Sequence, residues 1–216
     1  MIHRLFENNT ILNQFIAEIR DISIQKDRLR FRRNMERIGE IFAYEISKHL
    51  DYETTKVETP LGVSKCHLPK DRIVLTTILR AGLPLHNGLL SYLDNADNGF
   101  ISAYRKHHKD GTFEISMQYV TCPDITDAVV VVSDPMLATG ASMKKAIEAL
   151  LEYGTPRQIH VVVAIASSTG LSYLNRLFPK VRIWVAAEDE ELTAKSYIVP
   201  GLGDAGDLAY GSKLQD

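Results

Sequence analysis

The sequence predicts an α/β protein built on a parallel sheet flanked by helices, and three features of its 216 residues carry that prediction. Val129-Val130-Val131-Val132, Ile159 to Ala166 and Val181 to Ala186 are apolar runs without alternation. Such runs mark strands buried on both faces, as in a parallel sheet. Helical spacing follows the first two of these runs, which gives the strand–helix rhythm of βαβ units. The opening fifty residues carry helical periodicity instead of strands.

Taken in order, Ile11, Leu12, Phe15, Ile16 and Ile19 recur at helical spacing after a cap at Asn9 or Thr10. Phe31, Met35, Ile38, Phe42 and Ile46 write a second helix, so residues 1–50 are expected to form an N-terminal helical segment. Residues 54–68 read as short β-like pieces broken by Pro60 and Gly62. Ile73 to Leu79 is the first expected core strand, with a helix over Leu83 to Leu93. Ala128 to Val132 is a strand followed by a helix over Ala141 to Tyr153. Ile159 to Ala166 is a strand followed by a helix over Gly170 to Phe178, and Val181 to Ala186 adds a further strand. Phe100 to Arg105 and Phe113 to Val120 look like two strands joined by Lys106 to Thr112, whose Asp110-Gly111 is a turn signal. Residues 100–120 are therefore expected to form a projecting β-hairpin arm. The chain has no internal repeat or linker, so residues 1–216 are read as one domain.

Composition narrows the function. Apolar residues make up 45% and charged residues 24%, and the net charge is -2. A nearly neutral chain has no global attraction for nucleic acid or an anionic membrane. Any phosphate-binding surface must be local. Cys66 and Cys122 lack metal-ligand spacing and read as reduced thiols. The start of the chain has no apolar signal core, and no apolar run approaches a membrane span. A soluble, cytoplasmic protein is the expectation.

The segment richest in chemistry runs from Val129 to Ser142. Four valines form a buried strand, and Asp134 stands at its C-terminal end. Pro135-Met136-Leu137-Ala138-Thr139-Gly140-Ala141-Ser142 follows as a loop opening into a helix. Open α/β sheets bind ligands at the C-terminal ends of their strands. Small residues let backbone N–H groups approach a phosphate, and a helix N-terminus adds partial positive charge. Thr139 and Ser142 add hydroxyls. Asp134, one ribose length away, can accept bonds from vicinal hydroxyls. The pattern suits a ribose-5-phosphate and is neither a P-loop nor a Rossmann fingerprint.

This segment resembles the phosphoribosyl pyrophosphate (PRPP) motif of the type I phosphoribosyltransferases, in its uracil-specific Asp-Pro-Met-Leu-Ala-Thr-Gly form. Thr77-Ile78-Leu79-Arg80-Ala81-Gly82 is similar to that family's Arg-Ala-Gly loop. Tyr197 to Asp207 is similar to its C-terminal uracil-binding stretch. The three blocks come in the family's order and, with Tyr104-Arg105, cover most of the chain.

The resemblance implies transfer of the phosphoribosyl group from PRPP to uracil, giving UMP and pyrophosphate, with Mg²⁺ held mainly by pyrophosphate and water. It assigns Arg80 and Arg105 to the pyrophosphate, Asp134 to the ribose and Pro135 to Ser142 to the 5-phosphate. Tyr197, Ile198, Gly203, Asp204 and Ala205 fall to uracil, with Asp204 also facing PRPP. Uracil presents an acceptor, a donor and an acceptor along one edge. Backbone groups of a glycine-rich loop can read that pattern without charged side chains. The resemblance further implies a homodimer or higher homo-oligomer, and the arm, with Arg105 at its root and a basic tip, is the candidate lid that keeps water from the reactive sugar.

Several residues depart from the family pattern. Ala141 stands where Gly is usual, Pro84 and Asn87 replace Gly and Asp, and Leu208 replaces Arg. The arm tip, Lys106-His107-His108-Lys109, is basic where relatives are acidic. Lys26, Arg28, Arg30, Arg32 and Arg33 form a basic run, read as a solvated helix face or subunit contact, with a GTP effector as the alternative. Trp184 in its apolar strand reads as core. The competing functions are a non-catalytic nucleotide sensor and an RNA-binding regulator on the same fold.

Overall fold

The computed structural model describes residues 1–107 and 113–213, with side chains described outside 103–118. The chain opens on a short strand β1 (Ile2–Arg4), then helices α1 (Leu12–Arg20) and α2 (Arg28–Ser47). An antiparallel ribbon of β2 (Tyr52–Thr59) and β3 (Gly62–Pro69) follows. Next come β4 (Ile73–Leu79), α3 (Leu83–Tyr92), β5 (Asp97–His107), β6 (Phe113–Thr121), β7 (Val129–Ser133) and β8 (Met136–Leu137). The rest is α4 (Ala141–Leu150), β9 (Gln158–Ser167), α5 (Ser168–Leu177), β10 (Arg182–Asp189), β11 (Glu191–Leu192), β12 (Ile198–Val199) and α6 (Ala205–Tyr210).

Among the described residues, the main sheet has the order β1-β10-β9-β7-β4-β5-β6, with β8 also pairing with β9. Every neighbour in it is parallel except β5 with β6. The expected α/β fold is therefore present, and β4 has the bounds the sequence predicts. The apolar runs are explained by burial on both sides, since successive residues of one strand serve different cores. Leu75, Val131, Val162 and Ala164 pack with α1, α2, α3 and α6 on one face. Val74, Val130, Val132, Val161 and Val163 pack with α4 and α5 on the other. Glycines allow α2 and α3 to touch backbone to backbone. A Cβ at Gly39 would lie 2.3 Å from the Leu85 carbonyl oxygen, and one at Gly88 would lie 2.0 Å from that of Glu36.

The α1–α2 corner is held by the buried Glu18, which accepts from Arg30 at 2.8 and 2.9 Å, from Asn34 at 2.7 Å and from Gln14 at 3.2 Å. Those bonds hold its carboxyl at about 2. Trp184 is core, as expected, being 2% exposed. Its indole N–H donates to His160 Nδ1 at 3.0 Å, and His3 stacks on it at 4.0 Å. His160 is left neutral with its Nε2 proton toward Gln158 Oε1 at 3.0 Å, and burial pushes its pKa down to about 3.

The hairpin over residues 100–120 pairs from Phe100↔Thr121 to His107↔Phe113. Its tip, residues 108–112, lies outside the described residues, and so does His108 of the His107-His108 pair. Leu79↔Ser102 is the last pairing between β4 and β5. Beyond it β5 pairs with β6 alone, so the hairpin runs past the carboxyl end of β4. Three elements differ from expectation. Residues 52–69 form one continuous, largely exposed ribbon instead of broken pieces. Residues 2–4 add a strand to the sheet beside β10. The glycine-rich stretch ends in helix α6, because the Asp204 side chain accepts from the Asp207 amide at 3.0 Å and caps a first turn.

Candidate active site

The carboxyl ends of β4, β7, β9 and β10 lie along one edge of the sheet, and the residues singled out by sequence collect there. Thr77 of β4 is level with Ser133 of β7. Thr77 Oγ1 donates to the Ser133 carbonyl at 3.1 Å. Asp134 stands one residue past that pair and Arg80 three residues past it, so the two leave neighbouring strands at the same edge of the sheet. Gly82 keeps the two loops close, since a Cβ there would sit 3.1 Å from the Ser133 carbonyl oxygen and 2.1 Å from Thr77 Oγ1. Arg105 follows on the adjacent strand, opposite Ile115 and past the last β4 pairing. Only its backbone position is described.

The loop after Asp134 is held to β9 over its first half. The Pro135 carbonyl accepts from Ala164 and Ile165 at 3.1 and 3.0 Å, and Met136 and Leu137 form β8. The Ala138 carbonyl accepts from Ser167 Oγ at 2.5 Å. The second half turns outward through Gly140, whose φ of 82° suits glycine. A Cβ at Gly140 would lie 2.9 Å from the Tyr173 ring. Lacking a side chain, Gly140 gives α4 no side-chain cap, and the helix N-terminus it opens is suited to an anion. Thr139 Oγ1 accepts from the Ala141 amide at 3.4 Å, and Ser142 stands in that same first turn. Asp134 Oδ1 accepts from the Met136 amide at 3.4 Å, which orients the carboxylate at the loop's start.

The C-terminal block meets this edge through Arg80. Arg80 Nη2 contacts Asp207 Oδ1 at 3.3 Å and the Gly211 carbonyl at 3.2 Å. A Cβ at Gly206 would find Asp204 Oδ1 at 3.2 Å and Arg80 Nη2 at 3.9 Å, so Asp204 and the arginine flank one glycine. Asp204 also contacts Lys213 at 3.5 Å. Ile198 and Ala205 are buried with their side chains in the core, and Ile198 pairs with Leu192 in the β11–β12 ribbon. Tyr197 and Gly203 are exposed, and nothing lies within 4 Å of a Cβ built at Gly203.

Sequence reasoning missed Arg20 and Asp189. Asp189, at the carboxyl end of β10, accepts from Arg20 at 2.8 Å on each oxygen and from the Gly201 amide at 2.9 Å. The signal available was its place at a strand end, the same as that of Asp134. The basic run is engaged within the chain at three of its five positions. Arg30 pairs with Glu18, Arg32 donates to the Ala209 carbonyl and Arg33 pairs with Glu36. The departures are accommodated: Pro84 sits in the first turn of α3, where a missing N–H is tolerated, and Leu208 packs against the core. Ala141 opens α4 and Asn87 is exposed. Cys66 and Cys122 are free thiols, and burial pushes the Cys122 thiol up to about 11. No described helix is long and apolar enough to cross a membrane.

A family model described as uracil phosphoribosyltransferase matches residues 6–212. The chain is 53% identical over 215 residues to a protein of Porphyromonas gingivalis named uracil phosphoribosyltransferase, with 99% of each chain covered. A protein of the same name from Pyrococcus furiosus is 40% identical, over 97% of this chain and 90% of its own. A solved structure of an Aquifex aeolicus protein superposes with a TM-score of 0.88 at 32% identity, over the full length of both chains.

Proposed function

The chain belongs to the uracil phosphoribosyltransferase family, and from that premise we propose that the sheet edge described above transfers the phosphoribosyl group of PRPP to uracil. UMP and pyrophosphate are the products. The observation that carries the reading is the arrival of Arg80, Asp134, Asp204 and the N-terminus of α4 at that edge. Relatives across bacteria and archaea bear the same name, and none supports a nucleotide-sensing or RNA-binding role.

In this reading the 5-phosphate sits on the Thr139–Ser142 turn, against the amides of α4. Asp134 accepts from the ribose hydroxyls, and its charge favours the positive character that grows on the sugar as pyrophosphate leaves. Arg80, with Arg105 on the neighbouring strand, takes up the negative charge of the leaving pyrophosphate. Uracil lies along the backbone from Tyr197 to Ala205, its edge paired with amides and carbonyls. The reaction needs no histidine base. It needs reactants held in line and water kept out, for which the β5–β6 hairpin is the proposed cover.

Among the described residues no three His, Cys, Asp or Glu side chains cluster as a metal cage. Mg²⁺ characteristically takes one or two carboxylates and completes its shell with phosphate and water, so Asp204 and Asp207 suit it. Bound there with PRPP, it would supply positive charge to the pyrophosphate. A homodimer is part of the proposal on symmetry grounds. Two cations of the basic run are paired with acids, Arg30 with Glu18 and Arg33 with Glu36, and Arg32 donates to the Ala209 carbonyl, which favours the helix-face reading over a GTP effector site.

Base selectivity tests the pocket. Cytosine reverses a donor and an acceptor along the edge that uracil presents, leaving buried backbone groups unpaired at about 1–3 kcal/mol each. Turnover of uracil should therefore exceed that of cytosine by at least about tenfold in kcat/KM. Equal turnover of the two bases would remove the 197–205 backbone as the reader.

A further inference from the structure

The base loop has little regular structure of its own. It contains the two-residue strand β12, paired with β11, and enters α6 only at Ala205. A pocket that reads its ligand with backbone groups depends on where that backbone is held, because hydrogen bonds weaken steeply with misplaced geometry. Between β12 and α6 the backbone is anchored at Gly201. Its amide donates to Asp189 Oδ2 at 2.9 Å, and its carbonyl accepts from Arg20 Nη1 at 2.9 Å. Arg20 and Asp189 are themselves joined by two parallel bonds of 2.8 Å. Gly201 turns the chain with φ 57°, and a Cβ there would fall 2.2 Å from the Ile198 carbonyl oxygen.

We infer that Arg20 and Asp189 are positioning residues for the base: their ion pair grips Gly201 by both its amide and its carbonyl, and so sets the backbone that reads uracil. The inference rests on the assignment of residues 197–205 to uracil. Both partners are largely removed from water, with side-chain exposures of 22% for Arg20 and 7% for Asp189. A buried ion pair is a weak source of stability, because desolvation offsets much of its attraction. Its geometric effect is large. It ties the end of α1 to the carboxyl end of β10 and fixes the middle of a loop whose start is held by Thr193 and the β11–β12 pairing and whose end is held by the Asp204 cap. The fork of the guanidinium matters, since Nη1 serves Asp189 and Gly201 together while Nη2 completes the pair.

The test uses the full-length enzyme with uracil and PRPP as varied substrates. Asp189→Ala alone would strand a buried cation and endanger the fold, so the main variant is the double change Arg20→Met with Asp189→Leu. It replaces the pair with apolar groups of similar size. The expected result is a rise of about tenfold or more in KM for uracil and a lower uracil-to-cytosine ratio, with KM for PRPP within about twofold. Arg20→Lys, which keeps the charge and loses the fork, should fall between. A merely structural pair would shift both KM values and the melting temperature together, and that pattern would overturn the inference. So would an unchanged KM for uracil in the folded double variant. Gly203→Ala separates the inference from the assignment beneath it. Gly203 is exposed, has φ 97° and has nothing within 4 Å of a built Cβ. If Gly203→Ala raises KM for uracil and the double variant does not, only the clamp fails. If neither variant moves it, the base-loop assignment fails as well.

Discussion

Asp134→Asn is expected to lower kcat/KM for PRPP by about a hundred- to ten-thousandfold while leaving the fold intact. Two ribose hydroxyls bonded to a carboxylate each contribute about 1.5–3 kcal/mol, and the asparagine turns one acceptor into a donor and removes the charge. The cationic sugar of the transition state also loses its nearby anion, so kcat falls together with kcat/KM. Stability should hold, since the residue is only partly buried at a strand end. The asparagine oxygen can still accept from the Met136 amide, and the Asp134 backbone amide keeps its 3.1 Å bond to Val162. Steady-state kinetics beside a thermal melt decide the matter. A variant within about threefold of native kcat/KM would show that Asp134 does not hold the ribose.

Arg80→Gln should cost about a hundred- to a thousandfold in kcat/KM for PRPP, the scale for removing a preorganised donor from developing negative charge. KM for uracil should move far less. In the structure Arg80 bridges to Asp207 at 3.3 Å, with side-chain exposures of 43% and 36%. Exposed pairs of that kind contribute about 0–1 kcal/mol. The melting temperature should thus stay close to native, which separates lost chemistry from lost structure. Native PRPP kinetics accompanied by a lowered melting temperature would make Arg80 a surface link between the β4 loop and α6, and nothing more.

The parts of this fold legible in sequence are those whose side chains meet two cores. Val129 to Val132 could only be a strand buried on both faces, and Ile73 to Leu79 matched the structure at both ends. The ribbon at 52–69 gave no such signal. It is exposed almost throughout, so no buried face imposes an alternation to read. β1 is three residues long, too short for any period to show. Helix α6 was obscured by Gly206 and the glycines that flank it, although Asp204 and Asp207 stand at the cap and third positions where a capping pair is expected. The site divides in the same way. Arg80 and Asp134 announce themselves by following strands into loops of small residues. Arg20 and Asp189 are 169 positions apart, and each looks ordinary until the fold joins them.

The central claim is that this edge makes UMP. Purified protein incubated with radiolabelled uracil, PRPP and Mg²⁺ should convert the label to UMP and release pyrophosphate in equal amount, with the reaction dependent on both substrates. Binding of PRPP without UMP, or pyrophosphate released without transfer to uracil, would contradict the account.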